Sequence, residues 1–155
     1  MDGPGAGGRE RGGPVCEAGT VSSIQIADQT YVAADGALVG AAVADRLGWR
    51  RWWPDLELTV VEERGEKGIR WTVAGPLTGT MEVWLEPLGD DPGGLGGVVL
   101  HYFLHAEPTG ATAEQLARMN LAKITHRRRV AGKKMAFELK TTLERSRPVG
   151  VAPVV

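Results

Sequence analysis

Apolar and polar residues follow two different periods along this chain. Residues 21–28 alternate in the manner of a β-strand. Asp35 is typical of a helix N-cap, and the apolar residues of 36–47 recur at helical spacing. Gly48 is placed to end that helix, and a second short helical turn is expected before Pro54. The first third therefore predicts a strand followed by two short helices.

After Pro54 the period changes to two, which predicts strands. Short turns rich in glycine and proline separate most of these segments, and a longer loop precedes the last one. Short turns between alternating strands indicate an antiparallel meander. The strand candidates are 56–63, 69–74, 78–86 and 97–106.

The apolar side chains of these strands share one parity, which gives the predicted sheet an inner face. In the last hairpin, the pairs that keep this parity are Met81–Leu104, Val83–Tyr102 and Leu85–Leu100. The opposite face then carries Trp84 and Phe103 among glutamates and histidines.

Residues 112–145 predict one long helix with an apolar stripe interrupted by a cation. Arg128 lies near the middle of the stripe, and Ala131 and Gly132 beside it make a thin spot on the helix surface. The stripe residues are Ala117, Leu121, Ile124, Ala131, Met135 and Leu139.

Length and composition predict one folded domain, at about 21–145 of the 155 residues. Residues 1–20 contain seven glycines and two prolines, which predicts a disordered leader, and 146–155 predict a flexible tail. A single cysteine, Cys16, excludes an intrachain disulfide and favours the cytoplasm. The sequence predicts no transmembrane segment and no secretory signal.

Charge is unevenly distributed although the net charge is only -1. Between Arg118 and Arg147 there are ten Lys or Arg and two Glu. The run HRRRVAGKK at 126–134 raises the hypothesis of a surface for nucleic acid or an anionic membrane. On a helix these cations spread around most of the circumference, so a solvated outer face is favoured and no DNA partner is expected.

The order of elements and several motifs resemble the START-like superfamily, most closely its bacterial polyketide cyclase/dehydrase and lipid transport subgroup. The resemblance covers about 21–145 and includes the GTMEVWLE…GVVLHYFL hairpin. The other matching residues are Asp35, the aromatic exit Trp49, Trp52, Trp53 and Pro54, the strand residues Gly79, Thr80, Leu85, Glu86 and Pro87, and the step Glu107–Pro108.

This resemblance implies an α+β helix-grip fold, in which a curved antiparallel sheet of about five or more strands surrounds a long C-terminal helix. It also implies an apolar cavity between sheet and helix. Related proteins include cyclases, lipid and sterol carriers, and proteins that bind macromolecules. The fold alone therefore does not determine the function.

The predicted cavity provides the candidate site. Tyr102 would supply a polar contact through its hydroxyl group, since ligand pockets are mostly apolar with a few polar groups. Core packing explains the same aromatic residues equally well. The residues predicted to bind a ligand are Trp52, Trp53, Trp71, Met81, Val83, Tyr102, Leu104, Arg128 and Met135.

Two features of this site have a structural and a functional interpretation. Arg128 either binds the carboxylate or phosphate of a ligand, or reaches the rim and pairs with Glu62 or Glu63. The stretch GWRRWWPD at 48–55 is mainly structural closure of one end of the sheet. Trp52 or Trp53 would in addition form the lip of the cavity.

The residues of the outer sheet face predict cross-strand pairs of side chains at the surface and contact with a second copy of the chain. His101 and His105 are about 13 Å apart if extended, too far to bind one metal ion together at about 2.0–2.1 Å. No metal and no cofactor are therefore predicted. Exposed Trp84 and Phe103 would form an apolar patch, which makes a homodimer through this face a hypothesis.

The leading functional hypothesis is binding of a small hydrophobic ligand, lipid-like or polyketide-like, with an anionic group allowed. One alternative is a polyketide cyclase or dehydratase in the same cavity, using Tyr102, Arg128 and Glu62. The other is a macromolecular interaction protein that uses the basic helix or the outer sheet face. The sequence contains no GxSxG, HExxH or phosphate-binding glycine loop that would indicate a particular reaction.

Overall fold

The computed structural model describes residues 21–89 and 96–145. Within them, a β-sheet is combined with two short helices near the start and two helices at the end. The predicted leader 1–20 and tail 146–155 lie outside the described residues, as does part of the predicted long loop. The elements are β1 (Ile24–Val32), α1 (Gly36–Val43), α2 (Arg46–Trp52), β2 (Glu57–Glu63), β3 (Gly68–Ala74), β4 (Leu77–Pro87), β5 (Val98–Pro108), α3 (Ala113–Arg118) and α4 (Leu121–Leu143).

The sheet has five strands in the order β1-β5-β4-β3-β2, and every neighbouring pair is antiparallel. The predicted hairpin register is confirmed, with Met81 opposite Leu104 and Val83 opposite Tyr102. The predicted inner parity is buried along β3, β4 and β5. On the edge strand β2, the inward residues Leu58 and Val60 are only half-buried, and a bulge follows between Val60 and Glu62.

The prediction that the first helix extends over 36–47 is wrong, because α1 ends at Val43 and α2 begins at Arg46. The Asp45 carboxylate caps α2 by accepting a hydrogen bond of 3.0 Å from the Leu47 amide. Gly48 does not end a helix but lies inside α2. A Cβ there would lie 2.6 Å from the Trp52 ring, so close packing rather than chain termination explains this glycine.

The predicted long C-terminal helix is also interrupted. Thr112 and Gln115 form a capping box at the start of α3, which ends at Arg118. Asn120 then starts α4 by accepting a hydrogen bond of 3.0 Å from the Lys123 amide. An asparagine side chain competes with helical backbone bonds and favours caps, which explains the break.

The core lies between the inner sheet face, the α1–α2 pair and α4. Four of the five tryptophans enter it, and their rings contact one another edge to face. Trp53 is also stacked on Tyr102, with ring centroids 6.1 Å apart. Trp49, Trp52 and Trp53 are all buried, whereas Arg50 and Arg51 between them are exposed.

Candidate functional site

The predicted site residues come together around one aromatic cluster. Trp53, Trp71 and Tyr102 form its centre, and Met81 contacts Tyr102. Arg128 lies close enough for its charge to act on the Tyr102 phenol. The members of the predicted set that belong to the buried core are Trp52, Trp53, Trp71, Met81, Val83, Tyr102, Leu104 and Met135.

The interior at this cluster is closed. Trp71, Val83, Leu104 and Met135 have 0% of their surface exposed, and Tyr102 has 2%. These values mean that even a water-sized sphere has almost no access to these side chains. A ligand among them therefore requires that part of the surrounding structure move, and their ligand-binding role stays a prediction.

One buried indole group in this cluster lacks a hydrogen-bond acceptor. Within the described residues, Trp71 Nε1 has no partner, whereas the Trp53 N–H has the Tyr102 hydroxyl group beside it. By contrast, Trp49 Nε1 donates to the Val43 carbonyl at 2.6 Å, and Trp52 Nε1 donates to Glu138 Oε1 at 3.0 Å. An unsatisfied buried donor costs about 1–3 kcal/mol, so the Trp71 indole calls for an explanation.

Tyr102 supplies a third polar group at the same place. Its hydroxyl group donates to the Met81 sulfur at 3.5 Å, which is a weak acceptor. Burial raises the pKa of Tyr102 well above its usual value, while the nearby Trp53 N–H and the Arg128 charge oppose that shift. The phenol is therefore protonated at neutral pH and acts as a donor rather than a base.

Arg128 pairs with Asp55, so its predicted pairing with Glu62 or Glu63 is wrong. Arg128 Nη1 and Nη2 donate to the two carboxylate oxygens of Asp55 at 2.8 and 2.6 Å. These hydrogen bonds hold the pKa of Asp55 below its usual value and raise that of Arg128. Glu62 instead contacts Arg64, because the bulge and the exposed edge of β2 point it away from α4.

The segment that precedes Gly132 contributes little to the core. We call residues 109–131, which include α3 and the first half of α4, the flap. Not one of its residues is buried, although the predicted apolar stripe runs through it. Ile124 and Ala131 are partly buried and pack against the core, as predicted, and Met135 and Leu139 farther along are buried. Leu121 is only half-buried and Ala117 is exposed, so the stripe prediction is wrong for Ala117.

Gly132 marks the end of the flap and the point where α4 meets the sheet. A Cβ on Gly132 would lie 2.4 Å from Tyr102 Cε2, so only glycine permits this approach of helix and ring. At the other end, Thr109 Oγ1 donates to the Gly75 carbonyl at 2.6 Å, and Gly110 has a positive φ of 69°. The flap is thus bounded by two glycines, one at each attachment.

A groove follows the seam between α4 and the corner, which we define as residues 52–55. Its volume is about 490 Å³, within the range of small-molecule sites. Arg51 and the Trp52 N–H contact Glu138 across the seam, and Arg128 joins Asp55 next to it. The groove is lined by Arg51, Trp52, Pro54, His126, Arg127, Val130, Ala131, Lys134 and Glu138.

The basic run of α4 is partly neutralised. Arg128 is bound to Asp55, and Lys133 Nζ lies 3.2 Å from Asp28 Oδ1. Arg127 and Lys134, two further cations of the run, line the groove, which also contains the Glu138 carboxylate. This arrangement is not a continuous positive stripe, and the expectation of no DNA partner stays a prediction.

The outer sheet face carries aromatic and charged pairs, as the sequence predicted. Trp84 is stacked on His101 with centroids 4.6 Å apart, and Phe103 is stacked on His101 at 6.2 Å. His101 Nε2 lies 2.9 Å from Glu86 Oε1. Among residues 21–89 and 96–145, no three His, Cys, Asp or Glu side chains are grouped as metal ligands would be.

Comparison with solved structures confirms the predicted helix-grip fold. The Aha1 dimer from Colwellia psychrerythraea is 15% identical, with a TM-score of 0.52 over 81% of this chain and 99% of that one. A Chromobacterium violaceum protein is 12% identical, with a TM-score of 0.51 over 79% and 99%. A polyketide-cyclase-like protein from Corynebacterium glutamicum is 19% identical, with a TM-score of 0.50 over 81% and 93%.

These likenesses define the fold and leave the ligand open. No protein-family model matches the sequence, and the search of curated proteins finds no match. Among the described helices, none combines the length and the apolar character needed to cross a membrane.

Sequence reasoning missed three residues of this site. Asp55 was treated only as the end of the tryptophan-rich stretch, and Glu138 was not considered. Gly132 was noticed only as a thin spot on the helix. Charge pairs between distant segments leave no periodic signal, whereas a glycine beside a predicted inward-facing cation was a usable sign of close packing.

Proposed function

We propose that the protein binds a small, mainly apolar ligand between the inner sheet face and α4. The unpaired indole donor of Trp71, whose ring lies against that of Trp53, carries this proposal. A ligand oxygen would accept a hydrogen bond from Trp71 Nε1 and remove its desolvation cost. The apolar residues around this group favour a lipid-like or polyketide-like molecule. A cytoplasmic location fits this function and stays a prediction.

Movement of the flap provides the route. Since none of the residues 109–131 is buried, lifting the flap exposes far less apolar surface than moving the rest of α4. The groove of about 490 Å³ lies at its edge, and its apolar floor would receive the ligand first. Trp52 then acts as the lip of the site.

Two matched tryptophan substitutions test the proposal. Trp71→Phe removes an unpaired donor, whereas Trp49→Phe removes one that is paired with Val43. Titration with 1-dodecanol and dodecanoate, below their micelle concentrations, is followed by tryptophan emission. We expect Trp71→Phe to weaken binding about threefold to tenfold, the equivalent of one hydrogen bond. Trp49→Phe should leave it nearly unchanged.

Failure of both amphiphiles to bind the wild-type protein would argue against the proposed function. Equal weakening by both substitutions would show that loss of core volume, not the indole donor, is responsible. Native mass spectrometry of protein purified from its own host gives an independent answer, because a co-purified molecule reveals its class by its mass.

Catalysis in the same site is the alternative. Cyclisation or dehydration needs a base as well as an acid. The groups that act on the Tyr102 phenol, the Trp53 N–H and Arg128, are both donors, which favours binding over chemistry. Recovery of a bound polyketide-like compound with altered mass after incubation would instead establish an enzyme.

We also propose that the outer sheet face pairs two copies of the chain. Trp84 is 37% exposed within the stack of Trp84, His101 and Phe103, so it offers an aromatic surface to a partner. One protein with this fold is described as a dimer. Sedimentation should show a mass that rises with concentration and falls for Trp84→Arg. Phe137→Arg, at an exposed aromatic on α4, is the control. A monomer at every concentration would contradict this proposal.

A further inference from the structure

The Asp55–Arg128 pair is asymmetric in its exposure. The Asp55 side chain is 51% exposed, whereas the Arg128 side chain is 15% exposed. The guanidinium also lies close enough to the buried Tyr102 phenol for its charge to lower the phenol's pKa. The cation is therefore the inner partner, and the carboxylate covers it from the solvent side.

This asymmetry decides which partner can be exchanged. A half-exposed carboxylate returns to water at little cost, because it is still largely solvated. The guanidinium is less solvated than the carboxylate, so loss of its partner is the more unfavourable of the two changes. Any molecule that displaces Asp55 must therefore bring an anion of its own to Arg128.

The geometry of the pair indicates the kind of anion. Both terminal nitrogens of Arg128 donate to the two oxygens of one carboxylate, at 2.8 and 2.6 Å. This two-bond arrangement fits the planar carboxylate group. The groups of the site beneath it, Trp53, Trp71 and Tyr102, are neutral donors and add no positive charge. A ligand carboxylate reproduces the group that Arg128 already binds.

We propose that Asp55 is an internal stand-in for the ligand's carboxylate, and that Arg128 exchanges Asp55 for that carboxylate when the flap lifts. The ligand class is then an apolar monocarboxylate, with its acid group at the seam and its chain directed toward Trp53 and Trp71. This inference rests on the proposed function and adds to it the head group and the residue that recognises it. Arg51, Arg127 and Lys134 in the adjoining groove would attract such an anion.

Two substitutions separate head-group recognition from simple release of the flap. Asp55→Asn and Arg128→Gln both break the same ion pair, so both remove this link between the flap and the corner. Only Arg128→Gln also removes the receptor for a carboxylate. Dissociation constants for dodecanoate, 1-dodecanol and dodecyl phosphate are measured by calorimetry for each protein. The informative quantity is the ratio of the dodecanol to the dodecanoate constant.

We expect Asp55→Asn to raise the preference for dodecanoate over dodecanol by about fivefold. This factor corresponds to the free energy of a partly exposed ion pair. Arg128→Gln should abolish the preference, and Arg128→Lys should restore only part of it because it lacks the two-bond geometry. Arg129→Gln removes the same charge from an exposed neighbour and should change little. Thermal unfolding shows whether each variant is folded, and Arg128→Lys provides the comparison if Arg128→Gln is not.

Each of the remaining outcomes would overturn a different part of the inference. If both substitutions change the two constants equally, Asp55 is only a latch and the head-group assignment is wrong, although the proposed function stands. A preference for dodecyl phosphate over dodecanoate would refute the carboxylate class. If no amphiphile binds any of the proteins, both the inference and the proposed function fail.

Discussion

The two halves of α4 are attached to the protein in different ways. From Gly132 onward, Met135, Ala136 and Leu139 are buried against the core. Lys133 and Lys140 also donate to the backbone carbonyls of β1 at 3.0 and 2.8 Å. The preceding half has no buried residue, and Arg128 joins it to Asp55 by a side-chain ion pair. One helix therefore combines a half that is anchored in the core with a half that is joined to the corner by an ion pair.

This difference teaches how the fold could keep an interior both closed and accessible. Apolar burial is contributed by the anchored half, so release of the flap leaves most of the stabilising surface intact. Tyr102, which is stacked on Trp53, lies against Gly132 at the boundary between the two halves. The anchored half of α4 thus stabilises the protein, while the flap would control access to the interior.

The largest expected effect comes from truncating a side chain in each half. Met135→Ala should lower the free energy of unfolding by about 2–5 kcal/mol, because it empties a fully buried site. Ile124→Ala should cost about 1 kcal/mol or less, because Ile124 is only half-buried. Urea unfolding of both variants measures the difference. Equal costs would break the comparison and remove the argument for a flap.

A smaller effect is expected at the boundary between the halves. Gly132→Ala improves helix propensity by about 1 kcal/mol, but its Cβ would lie 2.4 Å from the Tyr102 ring. We expect a net loss of about 1–3 kcal/mol. In a Tyr102→Leu background the ring is absent, and the same substitution should become neutral or stabilising. A double-mutant cycle by urea unfolding tests this, and a coupling near zero would contradict the contact.

The smallest effect concerns the ion pair and its pH dependence. Asp55→Asn should cost about 0.5–1 kcal/mol at pH 7, a modest value because Asp55 is half-exposed. The pKa of Asp55 is lower in the folded protein than its unfolded value of about 3.9. The pair therefore stabilises the protein above about pH 4, and this contribution is lost as pH falls through the folded pKa.

Unfolding at pH 7, 5 and 3 measures that dependence. The difference between wild type and Asp55→Asn should persist from pH 7 to 5 and shrink at pH 3. Glu57→Gln, which removes a charge two residues away on exposed β2, serves as the control. A difference that stays constant down to pH 3 would mean that the carboxylate charge is not its cause.

Much of the sheet could be predicted from the sequence because its signal is local and repeated. The alternation along β4 and β5 fixed both their faces and the pairing of Met81 with Leu104. The helices were less predictable at their ends. Gly48 and Asn120 have clear local preferences, but only packing against Trp52 and capping of the Lys123 amide decided their roles.

The residues of the buried aromatic cluster could be predicted from the sequence, but their closed packing could not. The inward parity and the helix stripe selected Trp71, Tyr102 and Met135 correctly as neighbours in one cluster. The closed packing, and the pairing of Arg128 with Asp55, depend on how α4 lies across the corner. No spacing along the chain contains that information, because it arises from contacts 73 residues apart.

Both outer strands of the sheet are unsuited to adding a further strand. On β2, the bulge after Val60 and the exposed charges of Glu57, Glu62 and Glu63 disfavour pairing. On β1, the ammonium groups of Lys133 and Lys140 already occupy the carbonyls of Gln29 and Tyr31. Growth into an intermolecular β-structure would have to break these contacts. The anchored half of α4 therefore also protects the protein against fibrillar aggregation.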